Sequence, residues 1–259
     1  MRGPGAPAGG PSDEVHLPAV AVSAGDRPLS DSVSPHRRLR LVRARSAEAP
    51  RRLVLFGHST GGLTLSLWAH QHPGAASAVI LNSPWLELQL SGLAREAIVA
   101  PLVGLRARWH PLYAALPQID AGFYTRAVRE SADPDDPMQI NLDWRPEQSA
   151  PVTVGWLKAI TDGHRKVASG LAVDAPVCVL ISARTAMPRR WSDDLLSADS
   201  VLVVDEIARA ALKLGDSVTV ERLDGALHDV FLSRKQARDE AYERLASWVT
   251  GWNAAHPAR

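Results

Sequence analysis

The sequence has very little of several features that would assign it to a special class. It contains one cysteine, Cys178, so an intramolecular disulfide and a zinc site built from cysteines are both excluded. This cysteine lies in an apolar run, and we expect a buried, inert thiol. No apolar run reaches the roughly 18 residues of a membrane span, and the N-terminus lacks the apolar core of a signal peptide. The sequence therefore predicts no stable membrane insertion and, by default, a cytoplasmic location.

Strong charge and phosphate-binding motifs are also missing. The net charge of +1 gives no general case for binding nucleic acid or an anionic membrane. Neither G-x-x-x-x-G-K-[ST] nor G-x-G-x-x-G is present, so a phosphate-cradling loop is not predicted. Residues 36–45 hold five arginines, which could form a basic binding patch or a solvated face of a short amphipathic helix. We favour the solvated face, because arginine exceeds lysine along the whole chain.

Length and composition suit one α/β domain with an insertion. The chain has 259 residues, of which 46% are hydrophobic, enough to bury a substantial core. Residues 1–35 are rich in Pro, Gly, Ser and Ala and are predicted to be disordered or weakly structured. Residues 36–85 and 175–259 are predicted to form a mostly parallel sheet with helices on both faces. Residues 86–174 do not continue the strand-helix alternation and are interpreted as a cap insertion.

The stretch around Ser59 organises the rest of the chain. Residues 53–56 form a short apolar run typical of a buried parallel strand, residues 57–61 fit G-x-S-x-G, and a helical pattern follows. We expect Gly57 and Gly61 to remove side chains that would collide in a tight strand-to-helix turn. The N–H of Thr60 is expected to point to where an acyl oxyanion would develop. The alternative is a glycine-rich turn with an incidental serine, against which the flanking strand and helix argue.

A serine nucleophile needs a base, and His228 is the clearest candidate. Strands are predicted at residues 175–183 and 217–223, and helices at 205–214 and 234–252. His228 lies in the loop between the second of these strands and the last helix, where a base could reach over the serine. A serine hydrolase on such a sheet places its residues in the chain order Ser, Asp, His.

The acid is expected in the loop after the strand at residues 175–183. Four aspartates follow that strand, namely Asp193, Asp194, Asp199 and Asp205. Asp199 is preferred because Asp205 would suit the N-cap of the next helix, and the first two would suit a surface role. The sequence thus predicts Asp199 as the residue that orients the base.

Tryptophans are concentrated in the predicted insertion and at its start. Four of the eight in the chain occur there, namely Trp85, Trp109, Trp144 and Trp156. They could line an apolar groove for a ligand, or they could pack the core of the cap itself. We name Trp85 as a candidate for substrate contact, together with His58, which adjoins the serine although the turn directs its side chain away.

From residue 51 to its end, the sequence resembles the α/β-hydrolase superfamily. It is most similar to the monoglyceride-lipase-like branch, often labelled serine aminopeptidase-like or lysophospholipase. The matching stretches are GHSTGG at 57–62, LNSPWL at 81–86, SADSVL at 197–202 and GALHDVFLS at 225–233. The resemblance implies that Ser59 is the nucleophile, Asp199 the orienting acid and His228 the base. It implies no metal and no organic cofactor.

The expected reaction is hydrolysis of a small-molecule carboxylic ester with a medium-chain acyl or lipid-like group. Amide or peptide hydrolysis by the same three residues and a non-catalytic binding protein are the alternatives. Relatives place several strands and an oxyanion loop, usually with a His-Gly pair, before the serine, and residues 1–50 contain neither. We therefore expect an incomplete N-terminal part of the sheet, impaired catalysis, and a homo-oligomer formed through an exposed sheet edge.

Overall fold

The computed structural model describes residues 52–88, 108–110, 112–113, 122–135 and 152–256. The predictions for residues 1–35 and 36–45, for Trp144 and for a second oxyanion loop lie outside the described residues. The strands are β1 (Val54–His58), β2 (Ala78–Asn82), β3 (Val177–Ser182) and β4 (Val218–Leu223). The helices are α1 (Thr60–Gln71), α2 (Phe123–Ser131), α3 (Val154–Ala168), α4 (Val204–Ala211) and α5 (Lys235–Ala255). Short 3-10 turns occupy Asp193–Leu196 and Val230–Leu232.

The four strands form one parallel sheet in the order β1-β2-β3-β4. In the register of the sheet, His58 at the end of β1 lies beside Asn82 at the end of β2. Ser182 at the end of β3 likewise lies beside Leu223 at the end of β4. Because all strands run the same way, the loops that follow them meet at one edge of the sheet. The predicted α/β class with a parallel sheet is confirmed.

Two apolar clusters cover the two faces of this sheet. Val79 and Leu81 of β2 face the cluster formed with α1, α3 and α4, whereas Ile80 faces the cluster formed with α5. This alternation follows from the two-residue period of a strand. Every residue of β2 and β3 is buried, as expected of parallel strands covered on both sides. The sheet is therefore a rigid support for the loops at its edge.

Helix α3 belongs to the helical layer over the sheet, although the sequence places it within the predicted insertion at residues 86–174. Its Gly163 lies so close to α1 that a Cβ there would be 3.0 Å from Leu67 Cδ1 and 3.2 Å from Leu63 Cδ2. Ile160 and Val167 of the same helix are part of the larger apolar cluster. At least this part of the insertion therefore packs with the core.

The N-terminus of α4 is not capped as predicted. The N-cap residue is Val203, which has no side-chain capping bond, and Asp205 lies in the first turn of the helix. The Val204 N–H instead donates to Thr185 Oγ1 at 2.9 Å. Asp205 pairs with Arg222 at 2.6 Å. The N-cap prediction is wrong because a hydroxyl from the preceding loop already satisfies the helix N-terminus.

β1 is an outer strand among the strands that the structure describes. Phe56 in its centre is 44% exposed, which is unusual for a large apolar residue in a strand. Association of two copies through this edge stays a prediction. Among the helices that the structure describes, none combines the length and apolarity needed to cross a bilayer.

Cys178 should not react in the native protein. It is fully buried in β3, and burial, with a smaller contribution from the charge of Glu221, raises the pKa of its thiol to about 12. Because the thiolate is the reactive form, we expect no reaction with DTNB at about pH 8 until a denaturant is added. One thiol should then react per chain. Rapid reaction of the folded protein would contradict the placement of this side chain.

Candidate active site

Ser59 occupies a sharp turn between β1 and α1. Its backbone angles are φ 51° and ψ −119°, a conformation that a residue with a side chain rarely adopts. Its N–H donates to the Asn82 carbonyl at 3.0 Å, and its carbonyl accepts from the N–H of Gly62 at 3.0 Å and of Trp85 at 2.9 Å. Fixed partners on both sides of the residue therefore maintain the strained turn, in which Ser59 is only partly buried.

Glycines make this turn possible, but not the pair that the motif suggests. A Cβ at Gly57 would lie 2.9 Å from the Gly61 carbonyl oxygen and 2.9 Å from Leu65 Cδ1. At Gly61 it would meet nothing within 4 Å, whereas at Gly62 it would lie 2.5 Å from Pro84 Cβ. The steric prediction holds for Gly57 and is wrong for Gly61, because the crowding comes from the segment after β2.

Gly62→Ala should therefore destabilise the protein while Gly61→Ala should not. The methyl group added at Gly62 forces α1 away from Pro84, and overpacking of this kind costs about 1–3 kcal/mol. Alanine at the open Gly61 position should leave stability unchanged or raise it slightly, because alanine is the better helix former. Thermal unfolding of the two variants measures the difference. Equal melting temperatures would contradict the close approach of Pro84 to the helix.

The loop after β3 returns to the sheet edge at Asp199. The residue forms a parallel bridge with Thr185, and its N–H donates to the Arg184 carbonyl at 3.0 Å. Asp199 is fully buried, and its Oδ1 accepts the N–H groups of Val201 and Leu202, each at 2.8 Å. These bonds fix the carboxylate and leave Oδ2 directed at the loop after β4, which carries His228.

His228 lies in the loop after β4, between Asp199 and Ser59. Gly225, at φ +70°, turns the chain, and the Leu227 N–H donates to Ser233 Oγ at 2.8 Å. His228 Nδ1 is 2.9 Å from Asp199 Oδ2, and Nε2 is 3.1 Å from Ser59 Oγ. An ionised carboxylate can only accept, so the Nδ1 proton points to Asp199 and Nε2 can accept from the serine hydroxyl. The structure thus brings together the three side chains that the sequence predicts.

The other candidate acids lie elsewhere. Asp193 and Asp194 are in the 3-10 turn Asp193–Leu196, where Asp194 pairs with Arg184 at 3.2 Å on the surface. Asp205 lies on α4 with its own arginine partner. Within the described ranges, no group of three or more His, Cys, Asp or Glu side chains is arranged to hold a metal ion.

Thr60 begins α1 directly after the serine. Its backbone N–H is one of the first four of the helix, which have no acceptor within the helix. No acceptor for it occurs among the residues that the structure describes. An oxygen that develops negative charge beside Ser59 could receive this N–H.

The two candidates for substrate contact lie in different surroundings. Trp85 packs on α3, with its ring centroid 5.9 Å from that of Trp156 and 5.3 Å from that of His164. The ring of His58 is 4.9 Å from that of His228, and its Nδ1 lies 2.9 Å from the Asn82 carbonyl. Trp85 is therefore held by packing, and His58 lies against the base. Their contact with substrate stays a prediction.

Sequence reasoning missed two residues at this site. Tyr124 on α2 places its ring edge-to-face with that of His228 at 5.7 Å, and no pattern in the sequence predicts α2. Asn82 binds the segment that follows His228 through its side chain. A signal for it existed in the sequence, since it is the polar residue that ends the apolar run of β2.

Comparison with known proteins bears on the family and the fold. A family model described as serine aminopeptidase, S33, matches residues 36–187. The match spans more than half of the chain and includes Ser59, but it ends before Asp199 and His228. A search of curated protein sequences found no match.

Solved structures with the same fold include two lipases. The crystal structure of Paleococcus ferrophilus monoacylglycerol lipase is 18% identical, with 85% of this chain and 76% of that chain covered and a TM-score of 0.57. A soluble variant of monoglyceride lipase from Saccharomyces cerevisiae, in complex with a substrate analog, is 14% identical, with coverage of 85% and 71% and a TM-score of 0.50. At these identities the likeness establishes the fold alone.

Proposed function

Because the chain belongs to the serine aminopeptidase, S33, family of α/β hydrolases, we propose that it is a serine hydrolase that cleaves carboxylic esters through an acyl-enzyme on Ser59. The observation that carries the proposal is the hydrogen-bonded chain from Ser59 through His228 to Asp199, with distances of 3.1 and 2.9 Å. A general base needs this reach to take the proton of an attacking hydroxyl.

The first half of the reaction acylates the serine. Ser59 Oγ attacks the acyl carbon while its proton passes to His228 Nε2, and the ionised Asp199 stabilises the imidazolium. The N–H of Thr60 donates to the former carbonyl oxygen, on which negative charge develops. As the bond to the leaving oxygen breaks, His228 returns the proton to the departing alcohol.

The second half releases the acid. Water enters the place of the alcohol, His228 Nε2 takes one of its protons, and the hydroxide attacks the acyl-enzyme carbon. The bond between carbon and Ser59 Oγ then breaks, and the serine recovers its proton from the imidazolium. The enzyme returns to its starting state with no metal and no organic cofactor.

A medium-chain acyl or lipid-like ester is the proposed substrate. Tyr124 adds an aromatic surface beside the base, and Trp85 with Trp156 forms a second aromatic surface after β2. Aromatic surfaces suit an acyl chain better than a charged peptide. The two similar lipase structures agree with this choice. In the proposal, Trp85 and His58 contribute contacts to the substrate.

Amide or peptide hydrolysis by the same three residues is the alternative, and the description of the family as a serine aminopeptidase favours it. Turnover of a panel of p-nitrophenyl esters of increasing acyl length and of matched p-nitroanilides distinguishes the two reactions. We expect faster turnover of the esters, with an optimum at medium chain length. Turnover of an anilide or aminoacyl substrate above that of every ester would overturn the ester assignment.

A catalytically impaired hydrolase-fold binding protein is a further alternative. It rests on the N–H of Thr60 being the one oxyanion donor identified beside Ser59 among the described residues, whereas an oxyanion hole on this fold takes two donors. Loss of one donor typically lowers the rate about 10²- to 10³-fold. A slow enzyme would still acylate Ser59, whereas a pure binding protein would not, so covalent labelling of the serine distinguishes them.

A further inference from the structure

We propose that Asn82 is a positioning residue. It binds the loop after β4 that carries His228, the histidine loop, to the turn at Ser59, and so sets the distance between His228 and Ser59. The proposal rests on the proposed function, because the distance matters only if His228 acts on Ser59. Asn82 ends β2, is 2% exposed, and directs its side-chain hydrogen bonds to the two residues after His228.

The side-chain amide of Asn82 holds the segment directly after the base. Its Nδ2 donates to Asp229 Oδ1 at 2.8 Å, and its Oδ1 accepts the N–H of Val230 at 3.2 Å. Both ends of one amide are therefore used on the two residues that follow His228. The bonds span 147 and 148 positions of sequence, so they join two separate loops.

The backbone of the same residue holds the nucleophile. Its carbonyl accepts the N–H of Ser59 at 3.0 Å and lies 2.9 Å from His58 Nδ1. In the register of the sheet, Asn82 pairs with His58 on one side and with Leu180 on the other. A single residue of a central, fully buried strand thus binds both the turn at Ser59 and the loop that carries His228.

Asp229 extends this link into the histidine loop. Its Oδ1 also accepts the N–H of Phe231 at 3.3 Å, which caps the 3-10 turn Val230–Leu232. Asp229, the residue next to His228, is therefore held by Asn82 of β2 and by the N–H of Phe231 in its own loop. Only a side chain with a donor and an acceptor in one fork, as in asparagine, can bind both a carboxylate and an N–H here.

The test is an exchange of the two partners. Asn82→Asp removes the donor and puts a carboxylate against Asp229, so the histidine loop should shift. A misplacement of about 1 Å can cost about 10²-fold in rate, and we expect a loss of this size in kcat with little change in KM. In the double variant with Asp229→Asn, the amide at position 229 donates to the carboxylate at position 82. The Val230 N–H keeps an acceptor and the net charge is that of the wild type, but the amide nitrogen at position 229 replaces the Oδ1 that accepts from Phe231, so kcat should return in part.

A matched control is Asn253→Asp, the same chemical change on the exposed face of α5, which should leave kcat unchanged. Unchanged kcat in Asn82→Asp, or a loss that the exchange does not restore, would overturn the proposal. If Asn82→Asp fails to fold, the double variant is the test, because it should fold and hydrolyse ester. A double variant that also fails to fold, or folds without activity, would contradict the proposal that the bond between positions 82 and 229 positions His228.

A second readout does not depend on turnover. The proton on His228 Nδ1, held by Asp199, should give a low-field proton NMR resonance in the wild type. The resonance should shift or broaden in Asn82→Asp and return in the double variant. If the wild type neither hydrolyses esters nor labels at Ser59, the proposed function fails while this comparison still decides the positioning role. A resonance that Asn82→Asp leaves unmoved would overturn it.

Discussion

Ser59→Ala should lower kcat for ester hydrolysis by about 10⁶-fold, because the alanine methyl group can neither attack the acyl carbon nor pass a proton to His228. In the described part of the chain, the Ser59 side chain hydrogen-bonds to His228 Nε2, whereas backbone bonds hold the turn itself. The variant should therefore keep its fold and lose only its chemistry. An assay with a p-nitrophenyl ester, together with thermal unfolding, measures both.

The matched control is Ser247→Ala, which makes the same change at an exposed position on α5. It should hydrolyse the ester at the wild-type rate. Turnover in Ser59→Ala comparable to that of the control would mean that another group attacks the substrate, and the assignment of the nucleophile would be wrong.

Asp199→Asn should lower kcat by about 10⁴-fold with little loss of stability. The amide oxygen can still accept the N–H groups of Val201 and Leu202, so the loop keeps its hydrogen bonds. The amide nitrogen, however, would face His228 Nδ1 as a donor, and Nδ1 would have to become the acceptor. The histidine proton would then lie on Nε2, where it blocks transfer from the serine.

Asp194→Asn is the control for this prediction, because it changes a competing candidate in the same loop. Its carboxylate pairs with Arg184 at the surface, and an exposed pair of this kind contributes little to stability. We expect its kcat to match the wild type. Wild-type activity in Asp199→Asn combined with a large loss in Asp194→Asn would reverse the assignment of the acid.

The features predicted from sequence are those encoded by neighbouring residues. An apolar run, a G-x-S-x-G turn and a helical pattern are consecutive, so the turn at Ser59 could be placed without coordinates. Asp199 and His228 could be chosen because loops after parallel strands meet at one sheet edge, and because chain order ranks the candidates. Their distances to one another required the structure.

The errors and omissions concern contacts between segments that are distant in sequence. Gly62, not Gly61, is the crowded glycine because Pro84 approaches it from the segment after β2. Thr185 replaces Asp205 as the cap of α4 for the same kind of reason. Asn82 and Tyr124 contact the loop of His228 through tertiary contacts, and of the two only Asn82 has a local signal, as the polar residue that ends the apolar run of β2.

Labelling with a fluorophosphonate probe tests the central claim, that Ser59 is an activated nucleophile, more directly than turnover does. The probe phosphonylates a serine, with fluoride as the leaving group, only when a base and an orienting acid activate that serine, and it needs no knowledge of the natural substrate. Mass spectrometry of the folded protein should find one adduct, on Ser59, and none in Ser59→Ala. Folded wild-type protein that forms no adduct at Ser59 would contradict the account.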